Sequence, residues 1–96
     1  MDQVTLAFIK KLVFTYLDRQ KYRVFIFGSR ASGSSRKFSD IDIGIEAKGE
    51  IPAATLVEIE EAFNESDLPY TIDLVDFSNV SHNFKSQAKK QTIYLN

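Results

Sequence analysis

Residues 27–46 read FGSRASGSSRKFSDIDIGIE, and this stretch decides the fold. It closes one apolar run and opens another. Upstream, Tyr22–Phe27 (YRVFIF) is aromatic and β-branched, which predicts a buried strand ending at Gly28-Ser29. Downstream, residues 40–46 (DIDIGIE) alternate without a break. Ile41, Ile43 and Ile45 fall on one face of a strand, and Asp40, Asp42, Gly44 and Glu46 fall on the other. Between them, Arg30–Ser39 has no long apolar period and reads as a short helical turn followed by a loop.

The rest of the chain supplies the cover for such strands. Leu6, Ile9, Val13 and Tyr16, widened by Leu12 and Leu17, predict a helix over residues 4–20. Pro52 precedes an amphipathic helix over 53–65, with Leu56, Ile59, Ala62 and Phe63 on one face and Glu58, Glu60, Glu61 and Glu65 in solvent. YTIDLV, residues 70–75, predicts a third strand in which Asp73 is placed inward, and Asp76 reads as a strand-end acid. Ser78 is a candidate cap for a last helix reaching about residue 90 and carrying Val80, Phe84 and Ala88, with His82 on its surface. The tail QTIYLN is left as an edge strand or loose chain. Phe8, Phe14, Phe25 and Phe63 are assigned to the core. The expected architecture is α/β (α+β): a small mixed three-stranded sheet flanked by helices, in a single domain over residues 1–96.

Composition narrows the chemistry. The 96 residues are 44% hydrophobic and 26% charged, as in ordinary globular proteins, and folding hides roughly two-thirds of the surface of a chain this size. There is no cysteine and a single histidine, so disulfides, thiolate sites and multi-histidine zinc sites are excluded. Twelve Lys and Arg against 13 Asp and Glu leave a net charge of −1, which counts against a nucleic-acid partner. No apolar run is long enough to span a membrane, and MDQVTLAFIKKL lacks the pattern of a secretory leader, so the expected location is the cytoplasm.

The chemistry-bearing residues cluster around the quoted stretch. Asp40 and Asp42 lie two apart on one strand face, about 6.6 Å apart at the backbone. Carboxylates so placed can share a divalent cation, and Mg²⁺ favours one or two carboxylates completed by phosphate oxygens and water. Asp73, from the next strand, supplies a third acid for a two-metal clamp. Gly28 admits a ligand close to the backbone, and the N–H groups that follow, with the Ser29 hydroxyl, form a phosphate cradle flanked by Arg30, Arg36 and Lys37. These groups meet only if the first two strands are antiparallel. The helix-length connection to the third strand predicts a parallel crossover, which brings Asp73 to the same end.

Gly28-Ser29, ten intervening residues and Asp40-Ile41-Asp42 resemble the signature of the DNA polymerase β-like nucleotidyltransferase superfamily. The GSRASG…SDIDI wording is most similar to its minimal, MntA-type members. The resemblance implies Mg²⁺, a nucleoside triphosphate donor such as ATP, and transfer of a nucleoside monophosphate with release of pyrophosphate. It implies Asp40, Asp42 and Asp73 as catalytic metal ligands, and Gly28, Ser29, Arg30 and Ser39 as nucleotide and phosphate contacts. It also implies a HEPN-type helical partner carrying an acceptor tyrosine, in a toxin–antitoxin pair where this chain is the antitoxin; whether a homodimer or a hetero-oligomer forms is left open by the sequence. Two other readings stand beside it. One is a binding module that neutralises its partner by occlusion alone. The other is nucleic-acid end modification, which the charge balance disfavours.

Overall fold

The computed structural model describes residues 2–28 and 40–96. The short helical turn expected after Gly28 lies outside them. Helix α1 spans Gln3–Tyr16 and is capped by Asp2, whose carboxylate accepts the Thr5 N–H at 2.7 Å. It ends earlier than the periodicity suggests. Asp18 captures the following turn, its carbonyl accepting from the Lys21 and Tyr22 N–H groups and its carboxylate from Gln20 N–H. Leu17 is thereby turned out of the helix and into the core.

Strands β1 (Arg23–Phe27) and β2 (Ile41–Glu46) pair antiparallel, helix α2 (Ala53–Asn64) crosses over, and β3 (Ile72–Asp76) pairs parallel to β2. The antiparallel pair is the one the site residues require in order to meet, and the parallel pair follows the expectation from the length of the connection. Helix α3 (His82–Ala88) leads to β4 (Thr92–Tyr94), which pairs antiparallel with the free edge of β1. The sheet therefore has four strands in the order β3-β2-β1-β4, not three. Three residues are too few to show a period in sequence. The unpaired N–H and C=O groups along the outer edge of β1 recruit them, and pairing continues through Leu95 N–H to the Val24 carbonyl at 2.8 Å.

The two faces of the sheet are built differently. Val24, Ile26, Ile41, Ile43 and Ile45 are fully buried against Ile9 and Val13 of α1 and Ile59 and Phe63 of α2. Each such side chain contributes about 1.5–3 kcal/mol by leaving water. The opposite face is aromatic: Phe25, Phe27 and Phe77 pack edge-to-face, with Phe25–Phe77 centroids at 4.9 Å and Phe27–Phe77 at 5.1 Å. Helix α3 lies over this face with no buried residue of its own. It is pinned by Lys85 and Lys89, which both reach Glu46 on β2. Its cap is Ser81, which accepts the Phe84 N–H at 3.1 Å. Ser78, the expected cap, is instead held by Asp76, whose carboxylate accepts from the Ser78 N–H and hydroxyl and from Asn79. Asp76 is thus the strand-end acid it was read to be. Phe25 and Phe63 are core as expected and Phe14 is half-buried, whereas Phe8 is exposed because it faces away from the Ile9–Val13 stripe.

Gly44 makes the aromatic face possible. A Cβ there would lie 2.5 Å from the Phe25 ring and 2.7 Å from the Phe77 ring. Gly44→Ala is expected to lower stability by about 1–3 kcal/mol through overpacking, seen as a lower urea midpoint with an unchanged slope. Gly49→Ala, where a Cβ meets nothing within 4 Å, is expected to stay within about 0.5 kcal/mol of the parent.

Candidate active site

The register sets one row of residues across the sheet. Thr92 of β4 is opposite Phe27 of β1, Phe27 is opposite Asp42 of β2, and Asp42 is opposite Asp73 of β3. Adjacent strands lie about 4.8 Å apart, so Asp42 and Asp73 are immediate neighbours on one face. Asp40 precedes β2 by one residue and shares that face through the strand period. The three acids thus gather at the sheet end where β1 finishes, as the topology argument requires. Asp42 is half-buried, while Asp40 is exposed. Asp73, expected to point inward, is also exposed, because β3 is an edge strand of the sheet.

Gly28 closes the row on the β1 side. Its φ is +78°, a conformation that L side chains rarely adopt, and a Cβ would stand 2.6 Å from Asp42 Oδ2. The Asp42 carboxylate therefore lies directly over the Gly28 backbone, a contact open only to glycine. Ser29, Arg30 and Ser39 fall outside the described residues, as do Arg36 and Lys37.

Burial raises the pKa of Asp42, and the like charges of Asp73 and Asp40 raise it further. The carboxylates are close enough to repel one another electrostatically. Among the described residues they do not close into a three-ligand metal cage. The donor set still suits Mg²⁺, which needs only one or two carboxylates when phosphate oxygens and water complete the shell. Mutually repelling carboxylates beside a backbone cleared of side chains are the arrangement that a cation and its phosphate ligand would relieve.

A cavity of about 480 Å³ adjoins Gly28 on the aromatic face, lined by Phe27, Phe84, Gln87 and Gln91 among others. The sequence reading placed Phe84 on the last helix with Val80 and Ala88 and marked no cavity beside it. The signal was there: Phe84, Gln87 and Gln91 recur at helical spacing, and amides do not belong on a core stripe.

Residues 13–96 match the family described as Polymerase beta, Nucleotidyltransferase, and the chain belongs to it. It is 38% identical over 74 residues to "Probable protein adenylyltransferase MntA" of Haemophilus influenzae, covering 77% of this chain and 65% of that relative. The chain therefore spans somewhat less than two-thirds of that relative's length. Among solved structures, it resembles a toxin–antitoxin crystallised with AMP-PNP, with a TM-score of 0.77 and 26% identity, covering 95% of this chain and 72% of the other. It also resembles the complex of tri-AMPylated Shewanella oneidensis HEPN toxin with MNT antitoxin, with a TM-score of 0.74 and 25% identity, covering 100% of this chain and 72% of the other. Among the described residues no helix is long and apolar enough to cross a membrane.

The repulsion at Asp42 has a measurable consequence. A carboxyl whose pKa is raised on folding binds more protons in the native state than in the unfolded one, so its contribution to stability falls as pH rises through the folded pKa. Without divalent cations at neutral pH, Asp42→Asn is expected to melt above the parent. The gap is expected to close as the pH drops through the carboxylate range, and a melting-temperature series against pH checks this.

Proposed function

We propose that this chain is an Mg²⁺-dependent nucleotidyltransferase that moves AMP from ATP to an acceptor hydroxyl, a tyrosine on a HEPN-type partner, and so acts as the antitoxin of a toxin–antitoxin pair. The observation that carries the reading is the lateral row in which Asp42 and Asp73 stand side by side, with Asp40 on the same face and Gly28 beneath Asp42. The relatives support the finer points. One is named "Probable protein adenylyltransferase MntA", one is a toxin–antitoxin with AMP-PNP, and one is the complex of a tri-AMPylated HEPN toxin with MNT antitoxin.

In this reading Asp40 and Asp42 hold the metal, and Asp73 completes the set while accepting the proton of the attacking hydroxyl. Gly28, followed by Ser29, Arg30 and Ser39, receives the triphosphate. The missing Cβ at Gly28 is what allows phosphate oxygens to approach the Asp42 carboxylate. When bound, Mg²⁺ neutralises charge on the triphosphate oxygens and fixes them for in-line displacement. The acceptor oxygen forms a bond to the α-phosphorus, the bond from that phosphorus to the bridging α–β oxygen breaks, and pyrophosphate leaves. Asp42, desolvated and crowded by two like charges, gains most when a cation arrives.

The test is transfer of label from α-labelled ATP to a HEPN-type partner in the presence of Mg²⁺. Label is expected on a partner tyrosine and is expected to fall at least about 100-fold in Asp42→Asn, since even outer-sphere changes around a metal cost 10- to 100-fold. Absence of label on any acceptor, with the Asp40→Asn, Asp42→Asn double variant still neutralising the partner in cells, would replace transfer by occlusion.

A further inference from the structure

We propose that a basic cleft at the end of the sheet away from the acids is an anion site that takes a phosphate chain, of a nucleoside polyphosphate or of inorganic polyphosphate, among the side chains of Arg19, Lys21, Arg23 and Lys48; it does not depend on the nucleotidyltransferase reading.

The site follows from where positive charge collects. Arg23 is opposite Glu46 at one end of the β1–β2 pair, and Phe27 is opposite Asp42 at the other. Four residues of strand, about 13 Å, separate the two ends. At the Arg23 end, a cleft of about 490 Å³ is lined by Arg19, Lys21, Arg23, Lys48 and Lys85, with Glu46 as the one carboxylate among the described residues. Five of the chain's 12 Lys and Arg residues therefore meet in one place, although the whole chain carries a net charge of −1. Glu46 does not neutralise the other four, because Lys85 and Lys89 already hold it. Asp18, in the same turn, has its carboxylate on the Gln20 N–H. Among the described residues none of Arg19, Lys21, Arg23 and Lys48 forms an ion pair.

The fold secures these like charges together. Arg19, Lys21 and Arg23 stand on the α1–β1 turn, where the Asp18 carbonyl accepts the Lys21 and Tyr22 N–H groups. The Asn96 amide donates to the Arg19 and Tyr22 carbonyls and accepts from the Val24 N–H. The Arg19 guanidinium lies 4.8 Å over the Phe14 ring and that of Arg23 lies 5.3 Å over the Tyr94 ring. Stacking orients a guanidinium fork, which can then bind two phosphate oxygens at once. A cleft lined by one sign of charge concentrates counter-ions. Its volume is that of a small-molecule site, roughly 300–1,000 Å³. An acidic peptide spreads its charges over about 3.3 Å of chain per residue, and a nucleic acid is met by basic residues strung along a face. Here the cations converge on one concavity from the α1–β1 turn, the end of β2 and α3.

Calorimetry on the full chain with inorganic tripolyphosphate tests the assignment, in EDTA so that no metal recruits the anion to the acids. One-to-one binding is expected. Arg19→Gln with Arg23→Gln is expected to weaken it at least about 10-fold, and Arg19→Lys with Arg23→Lys, which keeps the charge but loses the forks, is expected to weaken it less. Lys10→Gln with Lys90→Gln removes as much charge away from the cleft and is expected to stay within about 2-fold of the parent. ATP binding no tighter than tripolyphosphate identifies the bare phosphate chain as the ligand; tighter ATP binding, lost in the Arg19→Gln, Arg23→Gln variant, identifies a nucleoside polyphosphate. The assignment is overturned if the parent does not bind tripolyphosphate, or if the two Gln pairs weaken it equally. It also fails if a single-stranded oligonucleotide or a glutamate peptide binds the cleft more tightly than tripolyphosphate, or if the arginine variants lose only the HEPN-type partner.

Discussion

The register between β2 and β3 is the constraint on which the site depends. Ile41 pairs with Ile72 and Asp42 with Asp73, so two acids far apart in the chain become neighbours. Because side chains alternate with period two, a slip of β3 by one residue would turn Asp73 toward the helices and bring Ile72 and Leu74 to the aromatic side. The aliphatic core forbids that slip. Ile72 and Leu74 pack against the cluster formed with α1 and α2, and moving them would expose apolar area while burying a carboxylate. Stability of the core and geometry of the acids are therefore the same specification.

The two sheet faces divide the work. The aliphatic face holds fully buried β-branched side chains packed against α1 and α2. Among the described residues the aromatic face is covered by α3, and it grades from fully buried Phe25 to half-exposed Phe84. The acids sit where this face runs out at the sheet end. This position leaves Asp42 half-dry: it is close enough to the packed rings to lose part of its hydration and near enough to the edge for a ligand to reach it.

Much of this was legible in the sequence. The strict alternation of DIDIGIE fixed which side chains share a face, and the helix-length link to YTIDLV fixed the parallel crossover that brings Asp73 alongside Asp42. Local competition decided what was not legible. Asp18 and Asp76 each capture nearby N–H groups, which ends α1 at Tyr16 and moves the cap of α3 from Ser78 to Ser81. The strand at Thr92–Tyr94 has no period to read and exists because β1 offers it an edge. The cavity at Phe84 needs tertiary packing of α3 to appear at all. For Ser29, Arg30 and Ser39, the spacing to Asp40 remains the basis of their assignment.

The segment Thr92–Asn96 also bears on how the molecule stays apart from its own copies. Asn96 accepts the Val24 N–H at 2.9 Å and donates to the Arg19 and Tyr22 carbonyls, stitching the α1–β1 corner across 72 residues of sequence. Thr92–Asn96 occupies the outer border of β1, whose amides and carbonyls would otherwise stand unsatisfied beside an apolar strand. Detaching that segment from β1 would present a template for strand-to-strand clumping, so the pairing guards the molecule against self-association as well as holding the fold.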